Sequence, residues 1–190
     1  MKLILASASP RRKEILSSMG YQFQVEPSNI EERQNPELPP KEIAADLARQ
    51  KAVDISKKYP NEIVLGADTI VVLDDKVLGK PKDEDDAFCM LQSLRGREHQ
   101  VITGVALVKN EKIHCFSVTT KVWMMDASDE QLKAYVRTKE PLDKAGSYGI
   151  QGKGALLVEK IEGDYFNVVG LPIQKIAHVL SQKFQIEVMG

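Results

Sequence analysis

The chain alternates between segments with two different hydrophobic periodicities. In some segments apolar residues recur three or four positions apart, which is typical of helices with one buried face. In others they alternate or run continuously, which is typical of strands. The first pattern predicts helices over residues 10–19, 41–58, 83–94, the segment after Ser128, and 172–183. The second predicts strands over residues 3–6, 21–25, 63–73, 77–78, 99–108, 113–124 and 155–161.

Punctuating residues support these boundaries. Ser9 and Pro10 suit the N-cap and first position of the first helix, and Gly20 ends it. The two long strands are separated only by residues 109–112, which predicts a hairpin. Mixed strands and helices with hairpins predict an α/β fold with a mixed sheet and flanking helices. No repeat or shift in composition divides the chain, so residues 1–190 are expected to form one domain.

Charge narrows the class of ligand. The chain has 190 residues, with 26 Lys and Arg against 27 Asp and Glu. A protein that binds a nucleic-acid polymer regardless of sequence usually carries an excess of positive charge. The balance therefore argues against such a partner and favours a small anionic ligand bound by a few focused cations.

Cysteine usage and the N-terminus indicate the compartment. Cys89 and Cys115 lack the spacing of metal ligands and are expected to be buried, reduced thiols. The apolar run at the N-terminus is far shorter than the roughly 20 residues that span a bilayer, so it is expected to be the first strand. These features predict a cytoplasmic protein without a membrane partner. The three histidines lie apart in sequence and are expected to be structural.

The first candidate site lies where the first strand meets the first helix. A helix N-terminus attracts anions through its free N–H groups and its dipole. Ser7, Ser9, Arg11 and Arg12 would add two hydroxyls and two guanidinium groups there. The pattern predicts a phosphate cradle, although an Arg-Arg pair in a first turn can also be a solvated face. It is not a P-loop, because the Gly-x-x-x-x-Gly-Lys pattern is absent.

Acidic residues form a second group of candidates. Asp68 interrupts an apolar strand, where a carboxylate is costly to bury unless it is paired or binds a cation. Gly66 just before it would let a ligand or another backbone approach closely. The alternative for Asp68 is a local turn bond at a strand end. Glu31 and Glu32 lie in a polar loop over residues 27–40, where solvent exposure is the alternative to a functional role.

Two lysines and an amide complete the candidates. Pro81 restrains Lys80 to an extended conformation, so that its amine is aimed. Lys51 lies within a predicted helix and is either a snorkelling lysine or a phosphate ligand. The glycines around Gln151 indicate a loop that presents this amide to a ligand. Carboxylates for a divalent cation and cations for phosphates are what metal-assisted phosphoanhydride hydrolysis requires.

At this point the chain resembles the Maf family of nucleoside triphosphate pyrophosphatases over nearly its whole length. The resemblance rests on seven motifs in order: Ala6-Ser7-Ala8-Ser9-Pro10-Arg11-Arg12, Glu31-Glu32, Leu47-Ala48-Arg49-Gln50-Lys51-Ala52, Gly66-Ala67-Asp68-Thr69, Gly79-Lys80-Pro81, Asp143-Lys144-Ala145-Gly146 through Gln151-Gly152, and Val169-Gly170-Leu171-Pro172. It implies a two-lobed α/β fold around a central cleft, similar to inosine triphosphate pyrophosphatases.

The resemblance also implies roles for individual residues. Phosphate or base is contacted at the positions of Arg11, Arg12, Lys51 and Lys80. The acidic positions associated with the metal, Mg²⁺ or alternatively Mn²⁺, are Glu32 and Asp68. Asp68 is also regarded as the proton acceptor, but a carboxylate that binds the metal directly is a poor base for the same water, so the two roles are alternatives.

Specificity positions match one branch of the family. Arg12, Thr69 and Gln151 correspond to a branch that hydrolyses dTTP and UTP, whereas a branch that prefers 7-methyl-GTP has Gln and Glu at the last two positions. A Gln amide can accept from N3–H of uracil or thymine and donate to a carbonyl. The expected reaction is hydrolysis of normal or modified pyrimidine triphosphates to the monophosphate and pyrophosphate, by a homodimer. The alternative is a nucleotide-binding regulator of septum formation that lacks catalysis.

Overall fold

The computed structural model describes residues 2–188, so both ends of the predicted domain over 1–190 lie outside the described residues. Strands and helices follow one another along the chain. In order they are β1 (Leu3–Leu5), α1 (Pro10–Ser18), β2 (Phe23–Val25), α2 (Pro40–Ser56), β3 (Ile63–Leu73), β4 (Lys76–Leu78), α3 (Glu84–Leu94), β5 (Glu98–Lys109), β6 (Lys112–Met124), α4 (Asp129–Val136), β7 (Val158–Glu162), α5 (Tyr165–Val169) and α6 (Ile173–Phe184). Short 3₁₀ turns cover Glu140–Asp143, Ala145–Ser147 and Gly152–Leu157.

The strands form one mixed sheet of seven, in the order β2-β1-β3-β5-β6-β7, with β4 beside β3. β1 pairs in parallel with β2 and β3, while β4 and β7 pair antiparallel with β3 and β6. Only Asn110 and Glu111 separate β5 from β6, and Asn110 has a φ of 52°. Asparagine tolerates this left-handed backbone in two-residue turns. The predicted mixed α/β fold and its long hairpin are confirmed.

The described residues divide into two compact units. The first contains the chain up to Asp68, Thr103–Val118 and the residues from Gly170 onward. The second contains Thr69–Ile102 and Thr119–Val169. β3, β5 and β6 each contribute residues to both units. A single domain over 1–190 stays a prediction.

Each unit has its own apolar core. In the first, the core includes Ile4, Ala6, Ala48, Ala52, Ile55, Val64, Ala106 and Val108. In the second, it includes Val71, Leu73, Ala87, Leu91, Leu94, Val101, Val122, Met124, Leu132, Tyr135, Val136, Tyr148 and Leu157. Within residues 2–188, no helix combines the length and the apolar character needed to cross a membrane.

Glycines let α2 lie unusually close to the sheet in the first unit. A Cβ on Gly66 would lie 2.4 Å from the carbonyl oxygen of Ala48, and one on Gly104 would lie 2.0 Å from that of Ala44. Alanines on this face of α2 complete the fit, because larger side chains would hold the helix away. Of the two partners predicted for Gly66, a ligand or a backbone, the structure shows the backbone of α2.

One predicted element was wrong in its bounds, and one observed helix was missed. Instead of a strand over 155–161, a 3₁₀ turn over Gly152–Leu157 precedes the short strand β7. Gly152, with a φ of 69°, begins this turn in a left-handed conformation that suits glycine. The helix α5 was not predicted. The carboxylate of Asp164 accepts hydrogen bonds from the N–H groups of Phe166 and Asn167 and so caps its start.

The predicted burial of both cysteines was also wrong, because Cys89 and Cys115 are exposed free thiols. The buried residues of α3 are Ala87, Leu91 and Leu94, and Cys89 is not on that face. Helical spacing also favours a buried face of Ile15, Leu16 and Met19 on α1. Ile15 and Leu16 are buried, but Met19, the C-cap residue of this helix, is exposed.

Candidate functional site

The predicted phosphate cradle is built by the connection from β1 to α1. Ser9 is the N-cap in an extended conformation, followed by Pro10, as predicted. The Ser9 side chain makes no capping hydrogen bond, while its N–H donates to Ser7 Oγ at 3.3 Å. The first turn carries no acidic residue and instead contains Arg11 and Arg12. Because the dipole already makes this end positive, the arrangement suits a bound anion.

Arg12 is held in one orientation by the buried groups around it. Its Nε donates to the carbonyl oxygen of Gly170 at 2.8 Å, and its Nη1 donates to Ser7 Oγ at 3.1 Å. Burial lowers the pKa of the Arg12 guanidinium, and the negative charges of Asp68 and Glu32 oppose this shift. Gly170 belongs to the last of the seven sequence motifs, which therefore supplies a backbone acceptor that orients Arg12.

Lys51 joins the two acidic candidates. Its Nζ lies 2.5 Å from Asp68 Oδ1 and 3.1 Å from Glu32 Oε1. The side chains of Lys51 and Asp68 are each 15% exposed. Asp68 therefore takes part in an ion pair and not in a local turn. Lys51 does more than extend to solvent, because its ammonium group holds two carboxylates together.

The close packing of α2 on β3 makes this contact possible. Lys51 lies on α2 next to Ala52, and Asp68 lies on β3 two residues after Gly66. Because the ideal Cβ position of Gly66 is only 2.9 Å from Ala52 Cβ, no larger residue fits at Gly66 without moving one element. The small residues of two motifs thus set the distance between the charged residues beside them.

Sequence reasoning missed Gln50, which fixes the loop that carries Glu32. Gln50 Oε1 accepts from the N–H of Arg33 at 3.0 Å, and its Nε2 donates to the carbonyl oxygen of Arg33 at 2.8 Å. Nε2 also donates to Asp46 Oδ2 at 2.6 Å. The residue directly after Glu32 is thereby clamped to α2. The only sequence sign of this role was the position of Gln50 inside a motif, beside Lys51.

The ten predicted site residues do not all fall in one unit. Seven lie in the first: Ser7, Ser9, Arg11, Arg12, Glu32, Lys51 and Asp68. Thr69, Lys80 and Gln151 lie in the second. Thr69 is half-buried on β3, whereas Lys80 and Gln151 are exposed.

In the second unit the segments that carry Lys80 and Gln151 are tied together. The N–H of Gly146 donates to the carbonyl oxygen of Gly79 at 3.0 Å. A Cβ on Gly146 would lie 2.9 Å from Val71 Cγ1, so glycine is needed at this contact. Ser147 follows, fully buried, with its hydroxyl 3.1 Å from the sulfur of Met90. Gly146 and Ser147 of the glycine-rich motif are therefore anchored inside the unit, and the exposed Gln151 follows them in the chain.

A buried His–Tyr pair supports the same segment. His99 Nε2 shares a hydrogen bond of 2.7 Å with the hydroxyl of Tyr148. His99 Nδ1 is buried without a partner in the described part of the chain. Burial lowers the pKa of His99 to about 4. Burial likewise raises the pKa of Tyr148. His99 is therefore a neutral packing residue at physiological pH.

The carboxylates that could hold a divalent metal are Glu32 and Asp68. Within residues 2–188, no group of three or more His, Cys, Asp or Glu side chains converges as a metal site. Mg²⁺ does not require such a cage, because it is commonly bound by one or two carboxylates together with waters and substrate phosphates. Both carboxylates contact the same atom, Lys51 Nζ, so two oxygen donors of the kind that Mg²⁺ prefers lie close together.

Comparison with known proteins agrees with this assembly of motifs. The sequence profile of the family described as Maf-like protein matches residues 2–183. The chain therefore belongs to the Maf-like protein family.

Individual relatives are similar over their full length. A dTTP/UTP pyrophosphatase of Thermoanaerobacter sp. (strain X514) is 52% identical, with 100% of both chains covered. A protein of the same name from Alkaliphilus oremlandii is 53% identical, with 99% of each chain covered. Among solved structures, the Staphylococcus aureus Ham1 protein has a TM-score of 0.48 and 13% identity, covering 67% of this chain and 73% of that chain.

Proposed function

We propose that this protein is a pyrophosphatase that hydrolyses dTTP and UTP to the nucleoside monophosphate and pyrophosphate. The observation that carries the proposal is the cluster of Lys51, Asp68 and Glu32 in the unit whose helix α1 has Arg11 and Arg12 in its first turn. The charges of Asp68 and Glu32 act on Arg12, so the acidic and basic groups share one electrostatic environment. The full-length relatives that bear this activity in their names support the same reaction.

The chemistry is attack of water on the α-phosphorus. A bond forms from the water oxygen to phosphorus, the bond to the bridging oxygen of the β-phosphate breaks, and pyrophosphate leaves. Asp68 is the candidate to accept the proton of the water, and its hydrogen bond from Lys51 keeps the carboxylate oriented. Arg11, Lys51 and Lys80 offset the negative charge of the triphosphate.

Glu32 and Asp68 are the residues that would hold Mg²⁺, or alternatively Mn²⁺. The bound metal would supply charge neutralisation at the phosphate oxygens and at the leaving group. If Asp68 binds it directly, its role as proton acceptor passes to another group or to solvent. The two hydrogen bonds between Gln50 and the backbone of Arg33 would keep Glu32 near Asp68 before any nucleotide binds.

Arg12, Thr69 and Gln151 are proposed to read the pyrimidine. The Gln151 amide presents both an acceptor for N3–H and a donor for a carbonyl, a pairing that suits uracil and thymine. Arg12 is already oriented by its hydrogen bonds to Ser7 and Gly170. Contact between Arg12 and the base would therefore cost little side-chain conformational entropy. The substrates are the normal pyrimidine triphosphates or modified forms that retain this edge.

We further propose that the enzyme acts in the cytoplasm, on free nucleotides, as a homodimer. Two exposed free thiols suit a reducing compartment. The near balance of 26 basic and 27 acidic residues suits a free nucleotide better than a polymer. A homodimer is what the family resemblance implies, and light scattering would test it.

The test is pyrophosphate release from a panel of nucleoside triphosphates with Mg²⁺, with and without a chelator. Release from dTTP and UTP that the chelator abolishes is expected. Asp68→Asn should lower turnover by at least about a hundredfold, as the loss of a general base commonly does. The matched control is Asp75→Asn, an exposed residue with a φ of 61° that asparagine tolerates.

Three outcomes would change the proposal. Release from a different triphosphate would overturn the base-reading assignment and keep the reaction. Normal turnover of Asp68→Asn would overturn the role of Asp68. Binding of nucleotides without any release would instead favour a regulator, for which control of septum formation is the candidate process.

A further inference from the structure

Glu140, which no sequence motif singled out, contacts the chain on the C-terminal side of Gln151. One carboxylate oxygen, Oε1, accepts from the N–H of Gly154 at 3.0 Å. The other, Oε2, accepts from the N–H of Lys153 at 3.1 Å. Two consecutive backbone donors are thereby bound by one side chain, just past the candidate base-reading residue.

Tyr135 completes the arrangement on the N-terminal side of Gln151. Its hydroxyl donates to Glu140 Oε1 at 3.0 Å and accepts from the N–H of Gly149 at 3.2 Å. Glu140 and Tyr135 together therefore bind the backbone on both sides of Gln151. We call these two residues the Glu140–Tyr135 clamp.

The glycines of this segment fit the clamp. A Cβ on Gly152 would lie 2.9 Å from Glu140 Oε2, and a Cβ on Gly154 would lie 2.6 Å from the hydroxyl of Tyr135. Gly152 also has a φ of 69°. The glycine spacing around Gln151 thus follows from the need to let a carboxylate and a phenol approach the backbone closely.

The electrostatics agree with a carboxylate fixed by its donors. Burial would raise the pKa of Glu140, but the hydrogen bonds from Gly154, Lys153 and Tyr135 outweigh this effect and lower it. Lys144 adds a hydrogen bond from Nζ to the carbonyl oxygen of Glu140 at 2.6 Å. Gln151 itself is exposed, in an extended conformation, and makes no capping hydrogen bond with its side chain. Its backbone is fixed while its amide is available.

We propose that Glu140 is a positioning residue for substrate selectivity: with Tyr135 it fixes the backbone around Gln151 so that the Gln151 amide meets the pyrimidine edge. This inference rests on the proposed function of Gln151. The contacts of the clamp are with the backbone on both sides of Gln151. Because the clamp already orders the loop, less conformational entropy is lost when a nucleotide binds.

The variants that test the clamp are Glu140→Gln and Tyr135→Phe. In Glu140→Gln an NH₂ group replaces one of the two carboxylate oxygens. The backbone N–H of Lys153 or Gly154 then faces a donor and loses its hydrogen bond. Tyr135→Phe removes the hydroxyl that donates to Glu140 and accepts from the N–H of Gly149. We expect the kcat/KM ratio for UTP over GTP to fall by about tenfold or more in each variant, mainly through a higher KM for UTP. Glu159→Gln, at an exposed carboxylate on β7, is the matched control and should keep the wild-type ratio.

A double-mutant cycle separates positioning from general damage. If Glu140 acts through Gln151, adding Glu140→Gln to Gln151→Ala should change the UTP-to-GTP ratio by less than about twofold. A merely structural role would instead lower kcat/KM for both nucleotides by the same factor. An unchanged ratio in Glu140→Gln, or full additivity with Gln151→Ala, would overturn the proposal.

Amide hydrogen exchange provides a readout that does not require catalysis. Exchange at Lys153 and Gly154, whose N–H groups Glu140 binds, should accelerate by about fivefold in Glu140→Gln, because the loss of a typical hydrogen bond is worth about 1 kcal/mol. Unchanged exchange would show that Glu140 does not hold the segment. A wild-type chain that releases pyrophosphate from no triphosphate would overturn the proposed function and the selectivity role with it.

Discussion

Replacing Gly66 with alanine tests whether helix packing sets the geometry of the charged cluster. The new Cβ would lie 2.4 Å from the carbonyl oxygen of Ala48, where ordinary contacts begin at 3.4 Å, so α2 and β3 must separate by roughly 1 Å. Overpacking of this kind typically costs about 1–3 kcal/mol of the free energy of unfolding. The carbonyl belongs to the backbone of α2, so no side-chain rotation relieves the contact.

The same displacement carries Lys51 away from Asp68. Their contact is 2.5 Å, and lengthening it by about 1 Å takes the pair to the limit of hydrogen bonding. A misplacement of about 1 Å at catalytic groups can lower turnover by about a hundredfold. We therefore expect Gly66→Ala to lose both stability, measured by urea unfolding, and pyrophosphate release, measured on protein that is still folded.

The control and the contrary outcomes are defined by the structure. At Gly79 a Cβ would meet no atom within 4 Å, so Gly79→Ala should keep the free energy of unfolding within about 0.5 kcal/mol. If Gly66→Ala unfolds at the wild-type urea concentration, the close approach of α2 and β3 is not a packing constraint. If it loses stability but keeps full turnover, the position of Lys51 does not depend on that approach.

Three further substitutions address single contacts. Lys51→Met removes the cation between two carboxylates and should lower turnover by about a hundredfold or more in a pyrophosphate-release assay. Gln50→Leu removes two hydrogen bonds to the backbone of Arg33, and should speed tryptic cleavage after Arg33 while lowering turnover about tenfold. For His99 the unfolded imidazole titrates near 6.5 and the buried one near 4, so stability is lost as the pH falls between these values. The difference corresponds to about 3 kcal/mol, and His99→Gln should not show this loss in urea unfolding at pH 7.5 and 4.5.

Each of these expectations has a contrary result. Turnover of Lys51→Met within about threefold of wild type would show that catalysis does not require the Lys51 cation. Wild-type proteolysis of Gln50→Leu would show that other contacts hold the loop. A wild-type pH dependence in His99→Gln would assign the loss of stability to carboxylates instead.

Local chemistry explains which parts of the fold could be predicted from sequence. The strand over residues 63–73 was predicted with the bounds observed, because its apolar run is bounded by polar residues on both sides. The capping box between Ser128 and Gln131 was likewise readable, since it is a contact over three residues. In the same way the buried face of α2 followed from helical spacing alone.

The missed features depend on contacts between residues far apart in sequence. Glu140 binds the N–H of Gly154 across 14 positions, and Gln50 binds Arg33 across 17. Both bind backbone groups, which every residue carries, so no side-chain type at the partner position reveals them. The exposure of Cys115 is a similar case, because it depends on which residues of β6 the neighbouring elements cover.

The two exposed cysteines also allow the native protein to be labelled at two positions. Cys89 belongs to the second unit and Cys115 to the first, and the chain contains no third cysteine. Thiol-reactive donor and acceptor dyes can therefore be attached at native residues, with Cys89→Ser and Cys115→Ser as single-label references. Energy transfer between them would report, in solution and without an engineered thiol, whether binding of a nucleotide changes the distance between the two units.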